Sequence, residues 1–116
     1  MPIRLKRVYE APGPDDGYRL LVMRFWPRGV RKENVDEWDR GLAPSRGLLA
    51  DFNARVIEWP EYAIRFLAEM SEREDSQASL ASLRKHSRYT AVTLLCWCAD
   101  ENFCHRSLLR DVVLGS

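Results

Sequence analysis

The sequence predicts a small α/β fold in which a short, mostly parallel sheet is covered by helices, as a two-layer or three-layer sandwich. Two almost continuously apolar runs predict the sheet: residues 20–23 (LLVM) and 92–98 (VTLLCWC) have the pattern of strands buried on both faces. The predicted order is strand, strand, helices, strand, helix. This order favours parallel pairing of strands across the helical crossover.

The first two strands are joined by a short loop. Residues 3–9 (IRLKRVY) predict the first strand, and residues 10–17 (EAPGPDDG) have the composition of a loop. The second strand, 18–26 (YRLLVMRFW), ends at Pro27. A link this short cannot hold a helical crossover, so the two strands are either an antiparallel pair or joined by a bare loop. The third strand, 92–98, is predicted to be the innermost.

Helices are predicted from capping residues and apolar spacing. Ser45 is a suitable N-cap, and a second helix is predicted from about Pro60, with proline at its first position. A third helix carries Leu80 and Leu83, and residues 107–114 (SLLRDVVL) predict a last one. The apolar faces of the first two helices are Leu48, Leu49, Phe52 and Val56, and then Tyr62, Phe66, Leu67 and Met70.

Length and composition predict one domain, residues 1–116. Lys plus Arg is 18 and Asp plus Glu is 17, a balance that leaves no overall basic footprint for nucleic acid or an anionic membrane. No secretory signal and no membrane-length apolar run is present, so we expect a cytoplasmic protein without membrane contact. No dinucleotide or P-loop motif occurs, and no cofactor is predicted. The sequence does not predict the oligomeric state.

Four segments together resemble a known bacterial family. They are LKRVYE at the start, DGYRLLVMRFWPRGV in the second strand and turn, LAPS at 42–45, and VTLLCWCADENFCHRSLL at the end. The chain resembles the YeaO-like family, within the domain of unknown function 488 superfamily. The resemblance implies a cytosolic α/β domain without an agreed activity. It also implies two departures: Met23 stands where the family usually has an Asp, and the Cys-His-Arg at 104–106 is typical of the wider superfamily.

Several side chains at predicted strand ends favour an anion. Ligands of open α/β sheets bind beyond the carboxyl ends of the strands, and helix N-termini favour phosphate or carboxylate. Arg24 and Arg28 follow the second strand, and Arg106 and Ser107 begin the last helix, so we expect them to form an anion clamp, with Trp26 lining the pocket. The alternative is that Arg24 and Arg28 pair with the acidic segment 33–39, and that Arg106 only caps or solvates the helix.

Cys104 is the predicted nucleophile. A cysteine beside a helix N-terminus, a histidine and an arginine is placed for a lowered pKa, and the thiolate is the reactive form. His105 is the candidate base, and Cys98 is a resolving partner or the nucleophile itself. The alternative is that the three cysteines only fill the core, as free cysteines usually do.

Zinc is a third interpretation of the same residues. Cys96 and Cys98 face one side of a strand, and Cys104 with His105 would complete a Cys₃His set. The tight CxxC knuckles of structural zinc sites are absent, so no metal ligand is assigned.

Three functions follow from these observations. The first is a small-molecule enzyme or ligand-binding domain for a phosphate- or carboxylate-bearing compound, with a reactive cysteine. The second is a nucleic-acid-binding module that uses residues 24–32 (RFWPRGVRK), where cations and aromatic rings alternate. The neutral total charge argues against it. The third is a structural or partner-binding domain.

Overall fold

The computed structural model describes residues 2–98 and 104–115. Within them, one parallel sheet is formed by β1 (Ile3–Arg7), β2 (Tyr18–Leu21), β3 (Glu37–Trp38) and β4 (Val92–Cys96). The strand order is β1-β4-β2-β3, and every neighbouring pair is parallel. The predicted α/β fold and the innermost position of the 92–96 strand are therefore confirmed.

The first two strands are not neighbours, because β4 lies between them. Leu94 is in register with Leu5 of β1 on one side and with Leu20 of β2 on the other. Both outer strands run parallel to β4, so β1 and β2 point the same way and are joined by the bare loop 8–17. Of the two arrangements that the sequence leaves open, the structure adopts the bare loop.

This loop is fixed by a tight approach and by a buried carboxylate. Gly17 has φ +63°, and a Cβ there would lie 2.1 Å from the Ala91 carbonyl oxygen, so only glycine fits. Asp16 is buried and accepts hydrogen bonds from Arg19 (2.5 Å) and Lys6 (3.1 Å). Burial alone would raise the pKa of Asp16, but hydrogen bonds from the Gly13 amide, Lys6 and Arg19 hold it below its usual range. The ionised carboxylate thus anchors the loop to β1 and β2.

Four helices pack on the sheet in the described part of the chain: α1 (Arg46–Asn53), α2 (Trp59–Glu72), α3 (Glu74–Ser87) and α4 (His105–Leu114). Ser45 is the N-cap of α1, since its side chain accepts a hydrogen bond from the Leu48 amide at 3.2 Å. Pro60 lies in the first turn of α2, where its missing N–H costs nothing. Both predicted starts are confirmed.

The first helix ends earlier than its apolar pattern predicts. α1 stops at Asn53, and Arg55 takes a left-handed conformation (φ 60°), with the Val56 amide bonded to the Asp51 carbonyl. This turn closes the helix in the manner of a Schellman motif. Val56 is 70% exposed, so its prediction as part of the apolar face is wrong.

The sheet has a helical layer on one face only. Residues Leu20, Val92 and Leu94 of the strands belong to a core cluster with side chains from all four helices. Leu21 and Leu95, which point to the opposite face, pack instead against the loop segment 22–38. The fold is therefore the two-layer form of the predicted sandwich. The short strand β3 lies in this loop segment, which has no strand pattern in the sequence.

The substitution Leu94→Ala should lower the free energy of unfolding by about 2–5 kcal/mol, because it opens a cavity in the central strand. Leu94 is fully buried between β1 and β2. Urea unfolding measures the change, and the exposed Val56→Ala is the control, with an expected change within about 0.5 kcal/mol. Equal effects of the two substitutions would contradict the central placement of β4.

Across the described residues, no helix is long and apolar enough to cross a membrane.

Candidate active site

A pocket of about 270 Å³ opens at the carboxyl ends of β2 and β4. Parallel strands bring their carboxyl ends to one edge of a sheet, and this edge is where ligands of open α/β sheets bind. The pocket is walled by residues that follow the two strands, by α1 and α2, and by the start of α4. The lining consists of Met23, Arg24, Phe25, Trp26, Pro44, Leu49, Phe52, Asn53, Tyr62, Cys96, Trp97, Cys98, Cys104 and His105.

Three thiols and one imidazole meet in this pocket. Cys96 ends β4, Cys98 follows two residues later, and Cys104 is the N-cap of α4, directly before His105. The sulfur atoms of Cys96 and Cys98 are 3.7 Å apart, and the Cys104 sulfur is 3.7 Å from His105 Nδ1. The predicted site residues Cys98, Cys104 and His105 are thus brought together. Residues 99–103, the predicted loop of this edge, lie outside the described residues.

The cluster favours one thiolate, on Cys104. Hydrogen bonds from the Cys96 and Cys98 thiols, with the neighbouring His105, hold the pKa of Cys104 far below its usual range, although burial acts in the opposite direction. The same bonds raise the pKa of Cys98 to about 11, chiefly because its thiol donates to Cys104. They also raise the pKa of Cys96. Within the cluster, these shifts favour the thiolate on Cys104 over Cys96 and Cys98.

Two contacts fix the orientation of the His105 ring. The ring is buried, its Nε2 lies 2.5 Å from the Val22 carbonyl oxygen, and the ring of Phe66 packs against it with centroids 5.4 Å apart. A carbonyl only accepts, so Nε2 carries a proton in this bond, and Nδ1 is the ring nitrogen that faces the Cys104 sulfur. Nδ1 is therefore placed to exchange a proton with the Cys104 thiol.

Arg106 lies behind the thiols and is only 1% exposed. Its guanidinium donates to the carbonyls of Lys6 (2.6 Å) and Cys98 (2.9 Å), and its Nε donates to the Cys104 sulfur at 3.4 Å. It therefore ties together β1, the end of β4 and the start of α4. It also places a positive charge beside the Cys104 thiolate.

The other residues of the predicted anion clamp lie in different places. Arg24 lines the pocket and donates to the Pro44 carbonyl at 2.9 Å, and Trp26 lines the pocket as predicted. Arg28 is exposed and does not line the pocket. The Ser107 hydroxyl donates to the Cys104 carbonyl at 2.9 Å. Of the three predicted arginines, Arg24 lines the pocket, Arg106 contacts the Cys104 sulfur from within the fold, and Arg28 lies outside the pocket.

The pocket wall also contains residues that the sequence did not assign to the site, among them Phe25, Asn53 and Tyr62. Tyr62 is 2% exposed, and burial together with the charge on Cys104 raises the pKa of its hydroxyl. The group therefore stays protonated and can donate to a ligand. In the sequence, the apolar spacing of α2 indicates only that Tyr62 is a core residue. Nothing in the sequence shows that α2 passes over the carboxyl ends of the strands.

The fold and the site define a class: a small two-layer α/β domain with a thiol and imidazole cluster at the carboxyl edge of its parallel sheet. Within this class the chain belongs to a known family. Residues 3–115 match the family described as "DUF488-N3a: Active DUF488-N3 subclade", so the chain is a member of the YeaO-like DUF488 proteins. This family membership confirms the resemblance that the sequence motifs carry.

Relatives that match most of the chain support the same family membership. The uncharacterized protein YeaO of Escherichia coli K12 is 38% identical over 94 residues, which cover 79% of this chain and 82% of YeaO. The uncharacterized proteins Mb3100c of Mycobacterium bovis and Rv3073c of Mycobacterium tuberculosis are each 39% identical over 115 residues, covering 97% of this chain and 94% of theirs. No solved structure matches the chain.

Proposed function

We propose that this domain is a small-molecule enzyme or ligand-binding protein whose functional group is the Cys104 thiolate. The observation that carries the proposal is the cluster itself: three thiols and a fixed imidazole lie together at the wall of a pocket. A buried cysteine that only fills the core is a neutral thiol among apolar groups. Cys104 instead has donors around it. The description of the matching family as an active subclade also supports a working site.

The roles of the residues follow from their positions. Cys104 supplies the electron pair for an electrophilic atom of the ligand, and His105 Nδ1 accepts the thiol proton. Arg106 and the thiols of Cys96 and Cys98 stabilise the thiolate by hydrogen bonds to its sulfur. Arg24 is the cation of the pocket wall; its Nε and Nη2 donate to backbone carbonyls, which leaves Nη1 for the anion-binding role that was predicted for the whole clamp. Arg106 and Ser107 act as positioning residues, since their donors are bonded within the fold.

Competitive alkylation tests the proposal. Iodoacetamide forms a carbon–sulfur bond with a thiolate and releases iodide, so its rate reports the ionised thiol. Near neutral pH, site-resolved mass spectrometry should find Cys104 modified first, Cys98 second and Cys96 last. Cys104→Ser should remove the fast phase while the protein stays folded. Uniformly slow labelling of all three cysteines in metal-free protein would contradict the proposal.

A metal centre is the second candidate, because the distances fit tetrahedral zinc. Zinc bonds of about 2.3 Å to sulfur and 2.0–2.1 Å to nitrogen place neighbouring ligand atoms about 3.6–3.8 Å apart. The separations within Cys96–Cys98 and Cys104–His105 are both 3.7 Å, and the ligand atoms of Cys96, Cys104 and His105 lie within 4.8 Å of one another. The bond from His105 Nε2 to a carbonyl is also typical of a metal-bound histidine.

Zinc and free thiolate give opposite labelling patterns. Ligation protects all three cysteines until a chelator is added, and elemental analysis then finds about one metal per chain. Fast labelling of Cys104 in protein that carries zinc would exclude this second candidate. Protection that a chelator reverses would replace the nucleophile proposal with it.

A further inference from the structure

Two half-exposed aromatic side chains stand at the pocket and are not used by the thiol chemistry. Phe25 follows β2 and is 53% exposed, and Trp97 follows β4 and is 50% exposed. Because β2 and β4 are paired neighbours, the two rings emerge from adjacent strand ends. Large exposed aromatic groups that line a concave site indicate a surface for a ligand. Together with Trp26, Phe52 and Tyr62 they give the pocket five aromatic side chains among its fourteen lining residues, which suits a planar ring.

Guanidinium groups lie on and beside the pocket wall. The Arg46 guanidinium lies 5.5 Å from the ring centre of Phe25, and the Arg7 Nε donates to the Trp97 carbonyl at 3.3 Å. Arg24 lines the wall, while no Asp or Glu does so among the described residues. Arg46 makes no ion pair within the described part of the chain, so its charge is available to an anionic group beside the Phe25 ring. The ligand should therefore combine a planar ring with an anion.

Two polar groups of the pocket wall can form hydrogen bonds with the edge of such a ring. The Asn53 side chain is exposed at the pocket and makes no hydrogen bond within residues 2–98 and 104–115. Its amide offers an acceptor and a donor side by side, the pattern that pairs with the edge of a nucleobase. The Tyr62 hydroxyl adds a donor. The volume of about 270 Å³ is below the roughly 300 Å³ where pockets for drug-sized ligands begin, so only one ring system fits.

We propose that this pocket binds a nucleobase, stacked between Phe25 and Trp97, with its phosphate at Arg46 and Arg24. The inference rests on the proposed function, since it assigns the ligand of the same pocket. A nucleobase with a phosphate comes either from a free mononucleotide or from one nucleotide of a single strand. The aromatic rings and guanidinium groups of the pocket suit the free mononucleotide and the strand equally, because the stacking and phosphate contacts are the same in the two ligands.

Isothermal titration with AMP, CMP, GMP and UMP tests the inference, with adenosine, inorganic phosphate and a short single-stranded oligonucleotide as further probes. At least one mononucleotide should bind and quench tryptophan fluorescence. Trp97→Leu should weaken that binding about fivefold or more, the effect of losing a stacked base. Arg46→Gln should weaken the mononucleotide about threefold and leave its nucleoside unchanged. An oligonucleotide that binds more tightly than every mononucleotide identifies a strand as the source, and the reverse order identifies the free nucleotide.

The matched control is Tyr89→Leu, which removes another exposed aromatic ring (77% exposed) far from the pocket wall. It should leave binding unchanged. The inference is overturned if no nucleotide or oligonucleotide binds, or if Trp97→Leu and Tyr89→Leu change binding equally. The alkylation rate of Cys104, measured on the same unchanged protein, separates this result from the proposed function. Binding without a reactive Cys104 overturns the thiolate proposal alone, and a reactive Cys104 without binding overturns the nucleobase alone.

Discussion

Arg106→Leu should lower the free energy of unfolding by about 3–5 kcal/mol, the loss typical of removing one partner of a buried charged network. The guanidinium is 1% exposed and donates to two backbone carbonyls and one sulfur. Leucine fills part of the space but removes the guanidinium donors to the Lys6 and Cys98 carbonyls. It also leaves the Cys104 thiolate without its neighbouring cation. Urea unfolding with a constant slope measures the change.

Two further variants make this measurement specific. Arg110→Leu removes an arginine from the same helix, where it makes only a 3.8 Å contact with exposed Asp111, and it should cost less than about 1 kcal/mol. Arg106→Lys keeps the charge but loses the planar fork that reaches three acceptors, so we expect an intermediate loss. If Arg106→Leu costs no more than Arg110→Leu, the guanidinium does not tie β1 to the thiol cluster.

The alkylation rate of Cys104 should be nearly independent of pH between about pH 6 and pH 8. A thiol with the ordinary pKa of about 8.5 reacts about tenfold faster for each pH unit in this range, because the thiolate fraction rises. The lowered pKa of Cys104 means that its thiol is already ionised, so no further thiolate forms. At about pH 6, an ordinary thiol is only about 0.3% ionised, and Cys104 should react on the order of a hundredfold faster.

Changes at Cys98 test the cause of this ionisation. The Cys98 thiol is one of the donors that lower the pKa of Cys104. Cys98→Ala removes that donor, and the rate of Cys104 should begin to rise with pH. Cys98→Ser keeps an O–H donor in its place, and the flat profile should persist. A profile that is the same in both variants would show that Cys98 does not contribute to the ionisation.

The fold could be predicted from the sequence largely because its strongest signals are local. The apolar run at 92–96 identifies the central strand without knowledge of its partners, and Ser45 identifies the start of α1 from its own side chain. The two-residue strand β3 gave no such signal, since Glu37 and Trp38 pair with β2 only after the loop has folded against it. The end of α1 depended on the left-handed Arg55, a residue type that seldom adopts this conformation.

Part of the candidate site could also be predicted, because its signals too are local in the sequence. Cys98, Cys104 and His105 lie close together in sequence and at a strand end, so their grouping follows from local order. The surroundings of Arg106 do not, because its carbonyl partner Lys6 is a hundred residues away. Tyr62 likewise reaches the pocket only through the packing of α2 over the strand ends. Such contacts depend on the assembled fold, and no pattern in one segment contains them.

The most direct test of the central claim is an ultraviolet titration of the thiolate in metal-free protein, recorded for the unchanged chain and for Cys104→Ser. The account predicts a thiolate band already present at about pH 6 and absent from Cys104→Ser, with further thiolate forming only at high pH, where Cys98 ionises. Identical spectra of the two proteins up to about pH 8, with thiolate appearing only near the ordinary pKa, would contradict it.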